Sequence, residues 1–282
     1  IQREHYDQTL QIELLKVFNW FEANLLLLNV DKTKYIYLGP YYANKIKQIH
    51  DCVPEYLYTK TIQLDNNSPE ICESTEVKYL GLQFDNELKF KTHITSISRK
   101  VSQMSGIIWR CRDIPKPSRL MIYHSLVASS INYGILIWAS EFSKNLTGDF
   151  PLDHVPTTLK SVDSAHNKTI RAVTCSRKCV DINSLFKDLK VLKLCDTYYL
   201  QLALFAFDCI ALDQLPDSFN NYLSLAANFK NPEKLESLRS TDFHMAHVPK
   251  VNLKSTYKTV RFASSRFWNL IPAPLRITSC SR

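Results

Sequence analysis

The sequence predicts an α+β chain, with a small antiparallel sheet followed by a mostly helical remainder. Three observations carry this. Residues 56–85 are rich in β-branched and aromatic residues, with turn residues at the breaks. Beyond residue 90 the apolar residues recur at spacings of three and four. Only 5 glycines occur among 282 residues, so neither GxGxxG nor GxxxxGK[ST] is present and a Gly-rich phosphate loop is excluded.

Each element follows from its spacing. Leu10, Leu14, Leu15, Phe18, Phe21 and Leu25 share one face of a helix over roughly residues 8–28. "KTKYIYL", Lys32 to Leu38, reads as a strand ended by Gly39-Pro40. Thr61 to Asp65 is a short strand before the turn pair Asn66-Asn67, and Val77 to Asp85 is the strongest strand in the chain. Ile94, Ile97, Val101, Met104 and Ile107 or Ile108 then form a helical stripe, with Arg99 and Lys100 projecting off it toward solvent. Pro115 and Pro117 close that helix and open a second, apolar one from Arg119 to Trp138. Ser129, Ser130 and Asn132 interrupt its apolar run, which reads as a core helix and not a membrane span. Gly148, Pro151 and Pro156 mark a linker. Leu159, Val162, Ile170 and Val173 form the next stripe, and Asp181 is the N-cap expected for "INSLFKDLKVL". Tyr198 to Leu212 reads as a core helix, residues 228–260 are polar and weakly periodic, and "RFASSRFWNLI" is a short amphipathic helix stopped by Pro272 and Pro274. The resulting division is residues 1–90, 91–142, a linker at 143–157, and 158–282.

Charge is unevenly placed. The chain carries +8 overall. Residues 89–119 hold 8 Lys/Arg against 1 Asp/Glu, and residues 250–282 hold 7 against 0. All of the positive excess thus falls in two acid-poor segments, the pattern left by a polyanionic partner. A membrane surface fits less well, because no strongly apolar face accompanies the bases. The 8 cysteines form no CxxC pair; Cys175 and Cys179, four apart and near His166, are the one hint of a metal site, and reduced thiols are the expectation. No secretory leader is read at the N-terminus, so the expected location is intracellular, in cytoplasm or nucleus. A chain opening on Ile1 and not Met reads as a fragment or processed piece.

The ordered motifs have a family likeness. "WFEANLLLLNVDKTKYI" resembles the segment just after the catalytic centre of reverse transcriptases from jockey-type non-LTR retrotransposons. "VKYLGLQFDNELKFKTHI" is similar to the primer-grip strand that follows it in that family, and "GIIWRCRDIPKPSRLMIYHSLVASSINYGILIW" to the thumb. "HNKTIRAV" and "SSRFWNLIPAPLR" resemble downstream stretches of the same reading frames, so the likeness spans nearly the whole chain.

This resemblance implies the end of a polymerase palm at residues 1–90, a thumb at 91–142 and a helical C-terminal extension at 158–282. It implies an RNA template and a DNA primer as partners, and Mg2+ for the complete enzyme. The family's metal-binding carboxylates include an Asp-Asp pair, and none occurs in this sequence. They are expected upstream of Ile1, so the chain alone is expected to bind no metal and to be inactive. Asp7, Asp31 and Asp85 read as surface and turn residues. Lys32 matches a Lys that can protonate the leaving pyrophosphate, with Lys34 its rival. Tyr79, Leu80 and Gly81 match the primer grip. Lys91, Arg99, Lys100, Arg110, Arg112, Lys116 and Arg119 match thumb bases that touch the phosphates of the template–primer duplex. Trp109 can stack on a base, though core packing is its expected role. Three readings stay open: a reverse transcriptase fragment, a nucleic-acid-binding remnant without catalysis, and a decayed element without function.

Overall fold

The computed structural model describes residues 2–29, 32–39, 61–62, 71–148, 152–212, 222–223, 225, 245–250, 257–272, 274 and 276. The chain is α+β and divides into two units, Ile1–Thr92 and His93–Arg282.

In the first unit α1 (Gln2–Ala23) lays Leu10, Leu14, Leu15 and Phe18 over a small core of Tyr35 and Ile71. The helix stops short of the predicted end for a local reason. The Asn24 side chain donates to the Trp20 carbonyl at 2.8 Å, and Leu25 turns left-handed at φ 55°. Leu25 N–H then bonds Glu22 O at 3.0 Å and Leu26 N–H bonds Phe21 O at 2.9 Å, a Schellman closure. Leu25 is therefore off the apolar face and exposed.

The sheet differs from the one predicted. β1 (Lys34–Tyr35) pairs in parallel with β3 (Ile71–Glu73), and β2 (Thr61–Ile62) pairs antiparallel on the other side of β3. β1 is shorter than the predicted strand because Asn29 holds the entry. Its carbonyl accepts from the Thr33 hydroxyl at 2.8 Å, and its side chain accepts from Lys32 N–H at 3.1 Å. Residues 63–65 and the Asn66-Asn67 turn lie outside the described residues. The strand predicted from Val77 to Asp85 is in fact a hairpin, β4 (Glu76–Tyr79) antiparallel to β5 (Leu82–Asp85). Leu80 and Gly81 form its two-residue turn at φ 46° and 84°, the mirror-image turn whose twist suits paired strands.

α2 (Lys91–Arg110) crosses the boundary between the units in its first turn. It buries Ile94, Ile97, Val101 and Ile108, each contributing about 1.5–3 kcal/mol. The predicted second helix is broken. α3 (Lys116–Ile122) passes into a π turn (Tyr123–Ala128) and then α4 (Ser129–Asn132). Tyr133 turns extended and Gly134 left-handed before α5 (Ile135–Trp138). No helix among the described residues is long and apolar enough to cross a membrane.

The expected linker begins inside a buried 3-10 helix, Ser140–Thr147. Asn145 donates to His154 O at 2.8 Å and to the Tyr199 hydroxyl at 3.0 Å, tying both ends of the segment to the core. Residues 149–151 lie outside the described residues. α6 (Lys160–Thr174) and α7 (Ile182–Leu189) follow, the latter capped by Asp181, whose carboxylate accepts from Ser184 N–H at 3.1 Å. α8 (Leu194–Phe207) continues into a π turn, Asp208–Leu212, and packs against α9 (Val260–Leu270). Most of residues 228–260 lie outside the described residues.

His166 on α6 is central to this core. It is 1% exposed, stacks on Tyr123 with ring centres 5.8 Å apart, and takes the edge of Phe186. Its Nε2 lies 2.8 Å from the Tyr123 hydroxyl. Burial pushes the imidazole pKa down from 6.5 to about 4. The unfolded chain therefore takes up this proton as pH drops through 6.5, whereas the folded chain takes it up only near 4. Nothing is lost above pH 7, and stability falls by about 3 kcal/mol from this ring across that window. Urea unfolding at pH 7.5, 6, 5 and 4 should show this fall. In His166→Phe the slope between pH 6.5 and 4 should flatten, whatever the change in absolute stability; an unchanged slope contradicts it.

Candidate nucleic-acid interface

The α2 surface opposite its core face is built by spacing alone. Arg99, Gln103, Gly106 and Arg110 fall at i, i+4, i+7 and i+11, one stripe on a 3.6-residue helix, and all four are exposed. Lys100 and Ile107 flank it on one side, and Trp109 on the other. Arg99 and Arg110 are about 16 Å apart along the axis. Trp109 is 48% exposed, not packed in the core as expected. Ile108 takes the inward position beside it, and neighbouring residues on a helix do not share a face. Gly106 is open, with nothing within 4 Å of where a Cβ would sit. No packing among the described residues calls for glycine there.

Arg112 and Lys116 are exposed on and just after the turn between α2 and α3. Arg119, expected among the phosphate contacts, is not available to them. It is 7% exposed. Its Nε donates to Val173 O at 2.9 Å, and its Nη1 donates to Arg112 O at 2.5 Å and Ile114 O at 2.7 Å. A buried guanidinium needs such acceptors, and the α6 C-terminus supplies one from its unpaired carbonyls. Helical periodicity places Arg119 on a helix but cannot foresee carbonyls 54 residues away.

Most described bases of the second basic segment engage partners within the fold, while Lys250 is exposed. Lys258 and Lys144 both pair with Glu141, holding its carboxyl below the usual range against the opposing effect of burial. Arg261 lies over the Tyr222 ring at 5.7 Å. Arg266 donates to Leu146 O at 2.9 Å, and Arg276 is buried. Lys254 and Arg282 lie outside the described residues.

In the first unit Tyr79, Leu80 and Gly81 sit exposed at the hairpin tip, with Tyr79 62% and Leu80 71% accessible. Tyr79 rests edge-on against Phe84. Lys32 is exposed ahead of β1, and the hairpin departs after β3. Because β1 and β3 run parallel, Lys32 and the hairpin root lie at opposite ends of that strand pair. Lys91 is exposed in the first turn of α2. Asp85 is structural: its Oδ1 accepts from Lys89 N–H at 2.8 Å. Asp31 lies outside the described residues, and Asp7 is placed only as part of α1. Among the described residues no three His, Cys, Asp or Glu side chains are grouped to hold a metal ion. Cys175 and Cys179 are exposed, while His166 is buried against Tyr123.

Arg119 and Arg112 should therefore separate in unfolding measurements. Arg119→Met leaves three carbonyls without a charged donor and should cost about 3 kcal/mol or more. Arg112→Gln should stay within about 0.5 kcal/mol of the parent. Equal effects on the urea midpoint would contradict the assignment.

Comparison with protein-family models, curated proteins and solved structures finds no match for this chain. The roles of these residues rest on their geometry and charge.

Proposed function

We propose that this chain is part of an RNA-directed DNA polymerase of a non-LTR retrotransposon and that it holds the template–primer duplex. In this reading residues 1–90 are the end of the palm, residues 91–142 are the thumb, and the hairpin tip at Tyr79, Leu80 and Gly81 is the primer grip. The observation that carries it is the α2 stripe, which sets Arg99, Lys100 and Arg110 on the solvent side of a helix whose other side is core. Exposed bases at the two ends of a stripe about 16 Å long can reach phosphates along one duplex backbone, which they position without reading sequence. Trp109 beside them offers a π-face to a base. Gly106 leaves the middle of the stripe low, where a sugar-phosphate chain can approach closely. Lys32 is the candidate proton donor to pyrophosphate, and Mg2+ belongs to the carboxylates of the complete enzyme.

A second reading, a nucleic-acid-binding remnant without catalysis, shares this interface. The chain carries no Asp-Asp pair among its 282 residues, which both readings accommodate.

Both readings expect sequence-tolerant binding that weakens steeply with salt. Fluorescence anisotropy with an RNA–DNA duplex from 50 to 300 mM salt should give a log–log slope of about −3 or steeper. Combined Arg99→Glu, Lys100→Glu and Arg110→Glu should weaken binding at least tenfold and flatten the slope. Binding that ignores salt, or is untouched by the triple reversal, rejects the proposal. Gly106→Ala should raise stability by about 1 kcal/mol yet weaken duplex binding; tighter binding in that variant would contradict the close approach.

A further inference from the structure

Residues 120–249 hold 12 Lys/Arg against 13 Asp/Glu, yet the fold brings two of these bases to the same end of the second unit as the thumb-like cluster. One guanidinium does this. Arg119 bonds both Arg112 O and Val173 O, so the α2–α3 turn and the C-terminus of α6 lie within about 8 Å of each other. The chain leaving α6 is itself braced. Cys175 turns left-handed at φ 54°, and Ser176 N–H bonds Arg171 O at 3.1 Å. The Arg171 guanidinium then donates to Arg177 O at 2.9 Å and Val180 O at 2.8 Å. Asp181 fixes the far end by capping α7. Between these anchors the side chains of Arg177 and Lys178 are exposed.

We infer that the α6–α7 loop is a second phosphate-binding element, continuous with the α2 stripe, and that Arg177 and Lys178 contact the backbone of the same RNA–DNA duplex. This rests on the reading given above. Arg110, Arg112, Lys116, Arg177 and Lys178 supply five exposed positive charges at this end. Two acids stand among them: Asp113 is exposed in the α2–α3 turn, and Asp181 is engaged as the helix cap. The positive excess therefore survives. A loop held by Arg171 and Asp181 loses little freedom on binding, so its charges act at low entropic cost. Arg119 is the positioning residue for the pair, since it fixes the loop's root against the turn that carries Arg112.

The test compares duplex affinity and salt slope in three full-length variants. Arg177→Gln with Lys178→Gln removes two charges from the loop. Lys160→Glu changes net charge equally at the other end of α6, about 20 Å away. The α2 triple reversal reports on the stripe. The inference predicts that the loop variant weakens binding about tenfold and flattens the slope by about 2, while Lys160→Glu leaves both near the parent. If the loop variant binds like the parent and the α2 variant does not, the inference falls and the proposed function stands. If neither matters, both fall. Equal losses in the loop variant and Lys160→Glu would reduce the effect to net charge and overturn the inference. Both loop side chains are exposed, so unchanged urea midpoints will confirm that folding is intact.

Discussion

The second unit is organised around a cation out of water. Arg119 is an expensive residue to bury, because its charge cannot be neutralised by loss of a proton. Three carbonyls compensate, one from the end of α6 and two from the turn after α2. The carbonyl at the helix end carries part of the macrodipole's negative charge, which makes that terminus a favourable place for a guanidinium. These bonds tie α2, α3 and α6 together through one side chain. The arrangement sets which bases remain free. Arg119 is consumed, whereas Arg110, Arg112 and Lys116 are left to solvent.

Charge partition follows the same rule elsewhere. Of the two acid-poor segments, the later one mostly engages partners within the fold, through the Glu141 pairs, the Tyr222 ring and the Leu146 carbonyl. The earlier one keeps its stripe outside because apolar residues at spacings of three and four fill the inner face of α2. Equal charge density along the chain therefore gives two different surfaces. In the first unit the same contrast separates Tyr35 and Ile71, which hold α1 to the sheet, from the exposed hairpin tip.

Part of this is legible in the residues alone. The α2 stripe, the Asp181 cap and the short final helix follow from spacing and capping chemistry, which act within a few residues. The hairpin is hidden because leucine, not asparagine, precedes Gly81 in the turn, so the segment reads as one continuous strand. The break at Tyr133-Gly134 is hidden because Ile131, Ile135 and Trp138 keep a helical spacing across it. Arg119 reads as a surface base because its acceptors arrive from a distant helix. Arg177 and Lys178 are overlooked for the complementary reason: over residues 120–249, 12 Lys/Arg are offset by 13 Asp/Glu, and only the tertiary tie brings the root of their loop to the turn that carries Arg112.

The central claim is that the free bases of the second unit form one nucleic-acid surface. Photo-crosslinking with an RNA–DNA duplex carrying reactive groups on its backbone, mapped by mass spectrometry, tests it most directly. The account predicts adducts in the peptides that contain residues 99–116 and 176–180, with few in 257–276, where the bases are engaged internally. Adducts concentrated in 257–276, or spread evenly over all exposed lysines and arginines, would contradict it.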